Sequence, residues 1–400
     1  MITLSGCTPE DILRPDNVGY HAFTSYADFK ETLLHLTEIK NEDDRDEQLV
    51  VFFDSLTANH QVPFTWDDSV AFLYKGNPNS IVWVGDFSGW NPSTSGFSGT
   101  KIGSTDIWML EKIFPSDARL DYKIVVSGNW MLDPANSYIQ YSGFGPNSEL
   151  RMPDWQYPQE TLLGENVVRG QLSENFTIQS NVANLNYTIQ YKVCTPAGYD
   201  ALSNLPVIYV TDGHEYSDEQ MGSMLTVMDN LIFNQTIQPV IAVFIDPRNP
   251  SNLSENRRGS EYRSNIKYAD FVADELVPVI DAQHRTNASP SARAILGTSL
   301  GGWNAAFFGL ERSDVFKLIA IHSPAFNSAI IQSYESSPLL PLKIFMSTGV
   351  IYDTEDQARS MKSVFDQKGY PLLYREVNEG HSWGNWRALI EEPLVYFFAN

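Results

Sequence analysis

The stretch Gly297-Thr298-Ser299-Leu300-Gly301 decides how the second half of this 400-residue chain is read. It follows the apolar run Ala292-Arg293-Ala294-Ile295-Leu296 and precedes a helix-compatible segment from Gly302 to Leu310. A G-x-S-x-G pentapeptide at a passage from strand to helix has the form of a nucleophile elbow. The serine sits on a sharp, strained turn with its Oγ above the sheet edge, and the residues two before and two after it have no room for a Cβ. Away from such a setting the pentapeptide says little, because Gly and Ser are ordinary turn residues.

Outward from this point the pattern alternates between strand and helix. Leu205 to Val210 and Val240 to Ile245 are continuous apolar runs, as expected for strands covered on both faces. Tyr187 to Val193 alternates as an outer strand does, and Phe316 to Ile321 and Leu342 to Ser347 supply later strands. Ser223 to Phe233 and Tyr268 to Ala282 have helical spacing. Residues 160–400 are therefore expected to form an α/β domain, a mostly parallel sheet with helices on both faces.

Upstream the periodicity differs. Phe29, Leu33, Leu36, Ile39 and then Leu49, Phe52 and Phe53 recur at helical spacing, interrupted by the acidic run Asn41 to Glu47, which reads as a solvated face or loop. Residues 1–60 are thus a helical extension. Between residues 61 and 155, short strands such as Val70 to Tyr74, Ile81 to Val84, Trp108 to Ile113 and Asp121 to Val126 suggest a small β-sandwich. The Gly-, Pro- and Asn-rich segment from Gly143 to Pro158 reads as the linker out of it.

Composition narrows the partners. Hydrophobic residues make up 42% and aromatics 12%, enough for sizeable cores. A formal charge of −22, from 49 acidic and 27 basic residues, argues against nucleic acid or an anionic membrane as the main partner. Two distant cysteines, Cys7 and Cys194, imply neither a disulfide framework nor a metal site, and no H-E-x-x-H spacing occurs. Leu4-Ser5-Gly6-Cys7 matches a lipoprotein cleavage box, which would give Cys7 a lipid anchor and a periplasmic or cell-surface location. The basic and apolar regions that normally precede such a box are missing here, which leaves an ordinary cysteine and a cytoplasmic location as the alternative.

A serine hydroxyl needs a base to accept its proton and a third group to orient that base. His381, in Glu379-Gly380-His381-Ser382-Trp383 near the chain's end, stands where a loop after the last strand would bring the base. His322 precedes any acid and fits that role poorly. Asp353, in the loop after Leu342 to Ser347, is the expected acid; it also suits an N-cap for a helix from about Thr354 to Lys368, and Glu355 and Asp356 are its rivals. The oxyanion of an acyl-transfer intermediate needs two backbone donors, expected from Leu300 and from His214 in Thr211-Asp212-Gly213-His214-Glu215, with Glu215 next. Arg257, Arg258 and Glu261 lie in a loop that either contacts an oxygen-rich substrate or is pinned by ion pairs. Trp383 lines an aromatic pocket or belongs to the core; Trp303 and Trp386 read as core.

Two family resemblances follow. Val84-Gly85-Asp86-Phe87-Ser88-Gly89-Trp90-Asn91-Pro92, with Tyr122-Lys123, Trp130 and Asp133-Pro134-Ala135-Asn136, resembles the glycogen-binding-type, immunoglobulin-like carbohydrate module. The resemblance implies that Trp90 and Trp130 stack on sugar rings, or that they pack internally as in copies that bind no sugar. Residues 185–400 resemble the esterase family of α/β-hydrolases that includes ferric-enterobactin, feruloyl and acetyl xylan esterases. The carriers are Ile208-Tyr209-Val210-Thr211-Asp212-Gly213, Arg258-Gly259-Ser260-Glu261-Tyr262, Asp274-Glu275-Leu276-Val277-Pro278, Gly297 to Gly302, and Glu379 to Arg387. The resemblance implies an α/β-hydrolase fold, a Ser299–Asp353–His381 triad and a serine carboxylic-ester hydrolase without cofactor. The expected substrate is a small-molecule or oligosaccharide ester of feruloyl or acetyl type. A siderophore trilactone, or a non-catalytic sugar-binding protein on a hydrolase scaffold, are the alternatives.

Overall fold

The computed structural model describes residues 23–400, and the chain divides into two compact units. The first comprises residues up to Tyr157 together with Asn378–Gly384; the second comprises Pro158–Val377 and Asn385–Asn400. The expected lipid-bearing Cys7 lies outside the described residues. Among the described residues no helix is long and apolar enough to cross a membrane.

The first unit opens with helices α1 (Tyr26–Thr37) and α2 (Glu42–Ala58). The acidic run is no interruption: Asn41 caps α2, its Oδ1 accepting from the Asp43 N–H at 3.1 Å, and Glu42, Asp43 and Asp44 form the first turn. Negative charge there complements the helix dipole. Nor are the helices a separate extension. Phe29, Leu33, Leu49 and Leu56 share one core with Phe64, Ala71, Leu73 and Ile107 of the sheet that follows, and Phe29 stacks on Phe64 with ring centroids 3.9 Å apart.

That sheet runs β1 (Phe64–Trp66), β2 (Ser69–Lys75), β5 (Ile107–Ile113), β4 (Thr100–Lys101), all antiparallel. The second sheet runs β3 (Ile81–Gly85), β6 (Arg119–Val126), β9 (Asn147–Arg151), β8 (Ile139–Gln140), with β7 (Asn129–Met131) beside β6. Phe72 of the first sheet packs on Trp83 and Tyr122 of the second, which makes the pair a sandwich. The expected linker from Gly143 to Pro158 is corrected in part. Residues 147–151 form β9, paired with β6 from Arg119↔Arg151 to Tyr122↔Ser148.

The second unit is built on a nine-stranded sheet. Its order is β10 (Gln171–Leu172), β12 (Thr188–Thr195), β14 (Ile241–Asp246), β13 (Val207–Val210), β17 (Arg293–Thr298), β18 (Leu318–His322), β19 (Lys343–Gly349), β20 (Leu372–Val377), with β11 (Phe176–Gln179) on β12. From β14 through β20 every pairing is parallel, while β12 is antiparallel to β14. A hairpin, β15 (Arg248–Asn249) and β16 (Asn252–Asn256), follows β14. The sheet's central strands are buried along their whole length, because helices such as α3 (Met224–Phe233), α4 (Leu300–Glu311), α5 (Ser328–Ser336), α6 (Glu355–Lys368) and α7 (Glu391–Phe398) accompany them. The expected helix from Tyr268 to Ala282 is continuous from Ile266 to Gln283 but carries a π segment at Val272–Leu276. This is an α/β-hydrolase fold preceded by a small β domain.

Candidate active site

Ser299 lies between β17 and α4 with φ 58° and ψ −117°, a conformation that L-residues avoid and that surrounding structure must impose. Backbone bonds fix it: its N–H donates to the His322 carbonyl at 2.9 Å, and its own carbonyl accepts from the Ala325 N–H at 3.0 Å and from the Trp303 N–H at 3.1 Å. The flanking glycines are sterically required. A Cβ on Gly297 would fall on the Gly301 backbone and Thr211, and one on Gly301 would meet Thr211 Oγ1 at 2.8 Å. Leu300, the next residue, is the first of α4, where backbone N–H groups have no intrahelical partner.

The other expected oxyanion donor, His214, belongs to a one-turn helix, Gly213–Tyr216, that leaves β13. Gly213 allows it, since a Cβ there would collide with the Phe244 and Ile245 backbone of β14. Asp212 holds the left-handed conformation at φ 53° and is clamped by Arg258, whose Nε lies 2.9 Å from both carboxylate oxygens. The same guanidinium donates through Nη2 to the Thr298 carbonyl at 3.0 Å. Arg258 thus ties the turn carrying His214 to the residue before Ser299. The His214 ring sits 3.4 Å from Asp246, yet burial pushes its pKa down, so the neutral imidazole is favoured.

Asp353 stands in the bend between β19 and α6. Its Oδ2 accepts from Ser323 Oγ and from the Gly349 N–H, both at 2.6 Å. Ser323 in turn accepts from Trp386 Nε1 at 2.8 Å. Thr354, not Asp353, holds the N-cap position of α6, without a side-chain capping bond; Glu355 and Asp356 are inside the helix's first turn. Ser323, with φ 41°, is a neighbour of Asp353 that no local sequence signal announces. His322 is fully buried, its Nδ1 2.8 Å from Ser347 Oγ, and burial pushes its pKa down to about 3.

His381 belongs to the first unit, in the segment Asn378–Gly384. Buried Arg119 of β6 organises this segment. Its backbone N–H donates to the Asn378 carbonyl at 3.3 Å, its Nη1 donates to Ser382 Oγ at 3.1 Å, and Nη1 lies 3.6 Å from Glu379. Burial raises the Glu379 carboxyl to about 7, against the lowering effect of Arg119.

Three expected substrate contacts have other partners. Glu261 is fully buried and accepts from Tyr187 Oη at 2.8 Å, so it pins its loop instead of facing a ligand. Arg257 likewise donates to the Thr188 carbonyl at 3.0 Å and covers the Tyr187 ring. Arg258 is committed to Asp212 and Thr298 as described. Trp383 is buried, like Trp303 and Trp386, and is a core residue rather than an open pocket wall. In the sandwich, Trp90 donates its indole N–H to buried Asp86 at 3.0 Å, whereas Trp130 is half exposed. Among the described residues no group of His, Cys, Asp and Glu side chains is arranged to hold a metal ion.

Residues 182–345 match the family model described as "Putative esterase". The uncharacterized protein YjcH of Bacillus subtilis (strain 168) is 24% identical over 225 residues, 52% of this chain and 91% of that protein. The endo-1,4-beta-xylanase/feruloyl esterase of Xylanibacter ruminicola is 27% identical over 218 residues, 52% of this chain but 29% of that protein. Among solved structures, the ferric enterobactin esterase of Salmonella typhimurium is similar with a TM-score of 0.68 at 18% identity, covering 82% of this chain and 93% of that one. The α/β unit of this chain is thus similar, over residues 182–345, to a family of esterases.

Proposed function

We propose that the protein hydrolyses carboxylic esters with Ser299 as nucleophile, His381 as base and Asp353 as the acid that orients it. His381 takes the proton from Ser299 Oγ as Oγ attacks the carbonyl carbon. The resulting oxyanion is stabilised by the backbone N–H groups of Leu300 and His214. The imidazolium then gives its proton to the departing alkoxide oxygen, leaving an acyl-serine and a free alcohol. Water, deprotonated by His381, attacks the acyl carbon, and collapse returns Ser299 with a carboxylic acid as second product.

The observation that carries this reading is the backbone of Ser299: a non-glycine residue at φ 58° wedged between two glycines that admit no Cβ. Turnover of a short-chain nitrophenyl ester by the wild type and by Ser299→Ala tests it. A loss of at least about three decades in kcat is expected, and equal rates would rule the nucleophile out.

For the substrate we favour feruloyl- or acetyl-type esters on carbohydrate. A chain of net charge −22 repels anions and imposes no such penalty on neutral sugar esters. An iron-loaded tris-catecholate is anionic and gains no steering from this chain. The relative from Xylanibacter ruminicola carries feruloyl esterase in its name. The second reading, a siderophore trilactone, rests on a different observation. The likeness to ferric enterobactin esterase covers 82% of this chain, more than the α/β unit alone, so the fold similarity reaches into the first unit. Comparing kcat/KM on feruloyl-arabinose, acetylated xylan and an iron-free catecholate trilactone separates the two.

A further inference from the structure

We infer that Arg119 of the β-sandwich is a positioning residue for the loop that carries the base, so that the sandwich is a working part of the hydrolase. The inference rests on the proposed role of His381 and concerns what holds that residue in place.

The segment Asn378–Gly384 is grouped with the sandwich, not with the α/β unit it interrupts. The cause is a buried polar cluster around one guanidinium. Arg119 is fully buried; its Nε donates to Glu149 and its Nη2 to Asp121, each at 2.6 Å, and its remaining nitrogen reaches Ser382 and Glu379. Every direction of the guanidinium's fixed fork is therefore occupied, two by the sandwich's own strands and one by the base loop. Trp155 adds a 3.3 Å bond from Nε1 to Glu379, and Asn378 donates to Asp117 at 2.7 Å. Residues on both sides of His381 are thus tied down.

The glycines of the loop report the same closeness. A Cβ on Gly380 would fall on the Asp86 side chain, and one on Gly384 would fall on the Arg119 guanidinium. Asp86 is itself fixed, accepting from the Asp121 N–H at 2.8 Å and from Trp90 Nε1 at 3.0 Å. The Gly-Asp-Phe-Ser-Gly-Trp-Asn stretch and the Glu-Gly-His-Ser-Trp-Gly stretch are consequently two sides of one packed contact. The first need not bind sugar to account for its residues. A buried Arg with three carboxylate neighbours and no solvent has one arrangement, and rigidity of that kind is what a base loop requires.

The test uses the full chain. Ser382→Ala removes one bond while leaving the buried charges paired, and Arg119→Lys keeps the charge but loses the fork. The readouts are kcat and KM on a nitrophenyl ester and the rate at which a fluorophosphonate labels Ser299; circular dichroism confirms folding. For Ser382→Ala we expect folded protein, KM within about twofold and kcat lower by about tenfold, with the labelling rate falling in parallel. For Arg119→Lys we expect a fall of about 10²-fold, the size of a misplacement near 1 Å. A folded Ser382→Ala with wild-type kcat and labelling rate overturns the inference. So does a fall confined to KM. Ser299→Ala serves as the separate control: if it keeps full activity the serine-esterase reading fails, whereas if it is inactive and Ser382→Ala is normal, only the positioning role of the sandwich fails.

Discussion

The Ser323 hydroxyl donates to Oδ2 of Asp353 at 2.6 Å, and Trp386 donates in turn to that hydroxyl at 2.8 Å. The relay accounts for one carboxylate oxygen, Oδ2. With the Gly349 N–H at 2.6 Å, the carboxylate is oriented by charge-assisted bonds from two directions. Asp353→Asn is expected to lower kcat by about 10³- to 10⁴-fold with little change in KM, since a neutral amide neither orients nor stabilises an imidazolium. Ser323→Ala should cost about tenfold. Glu355→Gln and Asp356→Asn should stay within about twofold. A steady-state series on one nitrophenyl ester checks all four, and a large loss in Glu355→Gln with none in Asp353→Asn would reassign the acid.

The buried Glu379 carboxyl makes the first unit sensitive to alkali. Burial raises it from 4.5 to about 7, so the folded state holds this proton where the unfolded chain has released it. The associated stability is full below about pH 4.5 and is lost as pH rises through about 7. The window corresponds to on the order of 3 kcal/mol. Glu379→Gln, which keeps an oxygen for the Trp155 indole, should flatten that part of the profile. Urea unfolding of both proteins at pH 5, 6.5 and 8 measures the difference; parallel curves would mean that Glu379 is ionised throughout.

His322 acts in the opposite sense in the second unit. Its buried ring has a pKa pushed down to about 3, so the unfolded chain takes up the proton first. The stability contributed by the neutral ring is full above about pH 6.5 and is lost progressively as pH falls toward 3. His322→Gln, which retains a partner for Ser347, should lose less stability than the wild type between pH 6.5 and 4. The expected gap is on the order of 3 kcal/mol by chemical unfolding.

Local patterns carried most of the second unit. Continuous apolar runs located β13, β14 and β19 to within about two residues, because strands buried on both faces cannot hide their composition. The elbow was legible because its five residues are contiguous, although the atoms its glycines make room for include Thr211 and Asp212, far back along the chain. What stayed hidden depends on distant partners. β9 sits in a segment with linker composition and becomes a strand by pairing with β6. Glu261 and Trp383 carry chemistry that suits a ligand, and their burial is decided by elements far along the chain. The grip of Arg119 on Ser382 joins residues 263 positions apart, and nothing local to either announces it.

The elbow's second glycine offers a sharper test of strain than the nucleophile itself. Gly301 has ordinary helical backbone, so alanine there has no dihedral penalty, and helix propensity alone favours it by up to about 1 kcal/mol. Its Cβ, however, would meet Thr211 Oγ1 at 2.8 Å and Asp212 Oδ2 at 3.2 Å, on the turn that carries His214. Relief must come from shifting α4 or that turn, and either movement changes where Leu300 and His214 aim their N–H groups. Gly301→Ala should therefore lower kcat by about 10²-fold, the cost of losing one well-aimed oxyanion donor, while the protein remains folded. Gly259→Ala, whose Cβ would meet nothing within 4 Å, is the matched control and should keep wild-type turnover. Adding Thr211→Ser to Gly301→Ala removes a methyl but keeps Oγ1, so it should restore little. Thr211→Ala removes the clashing oxygen and should recover a substantial part of the lost rate.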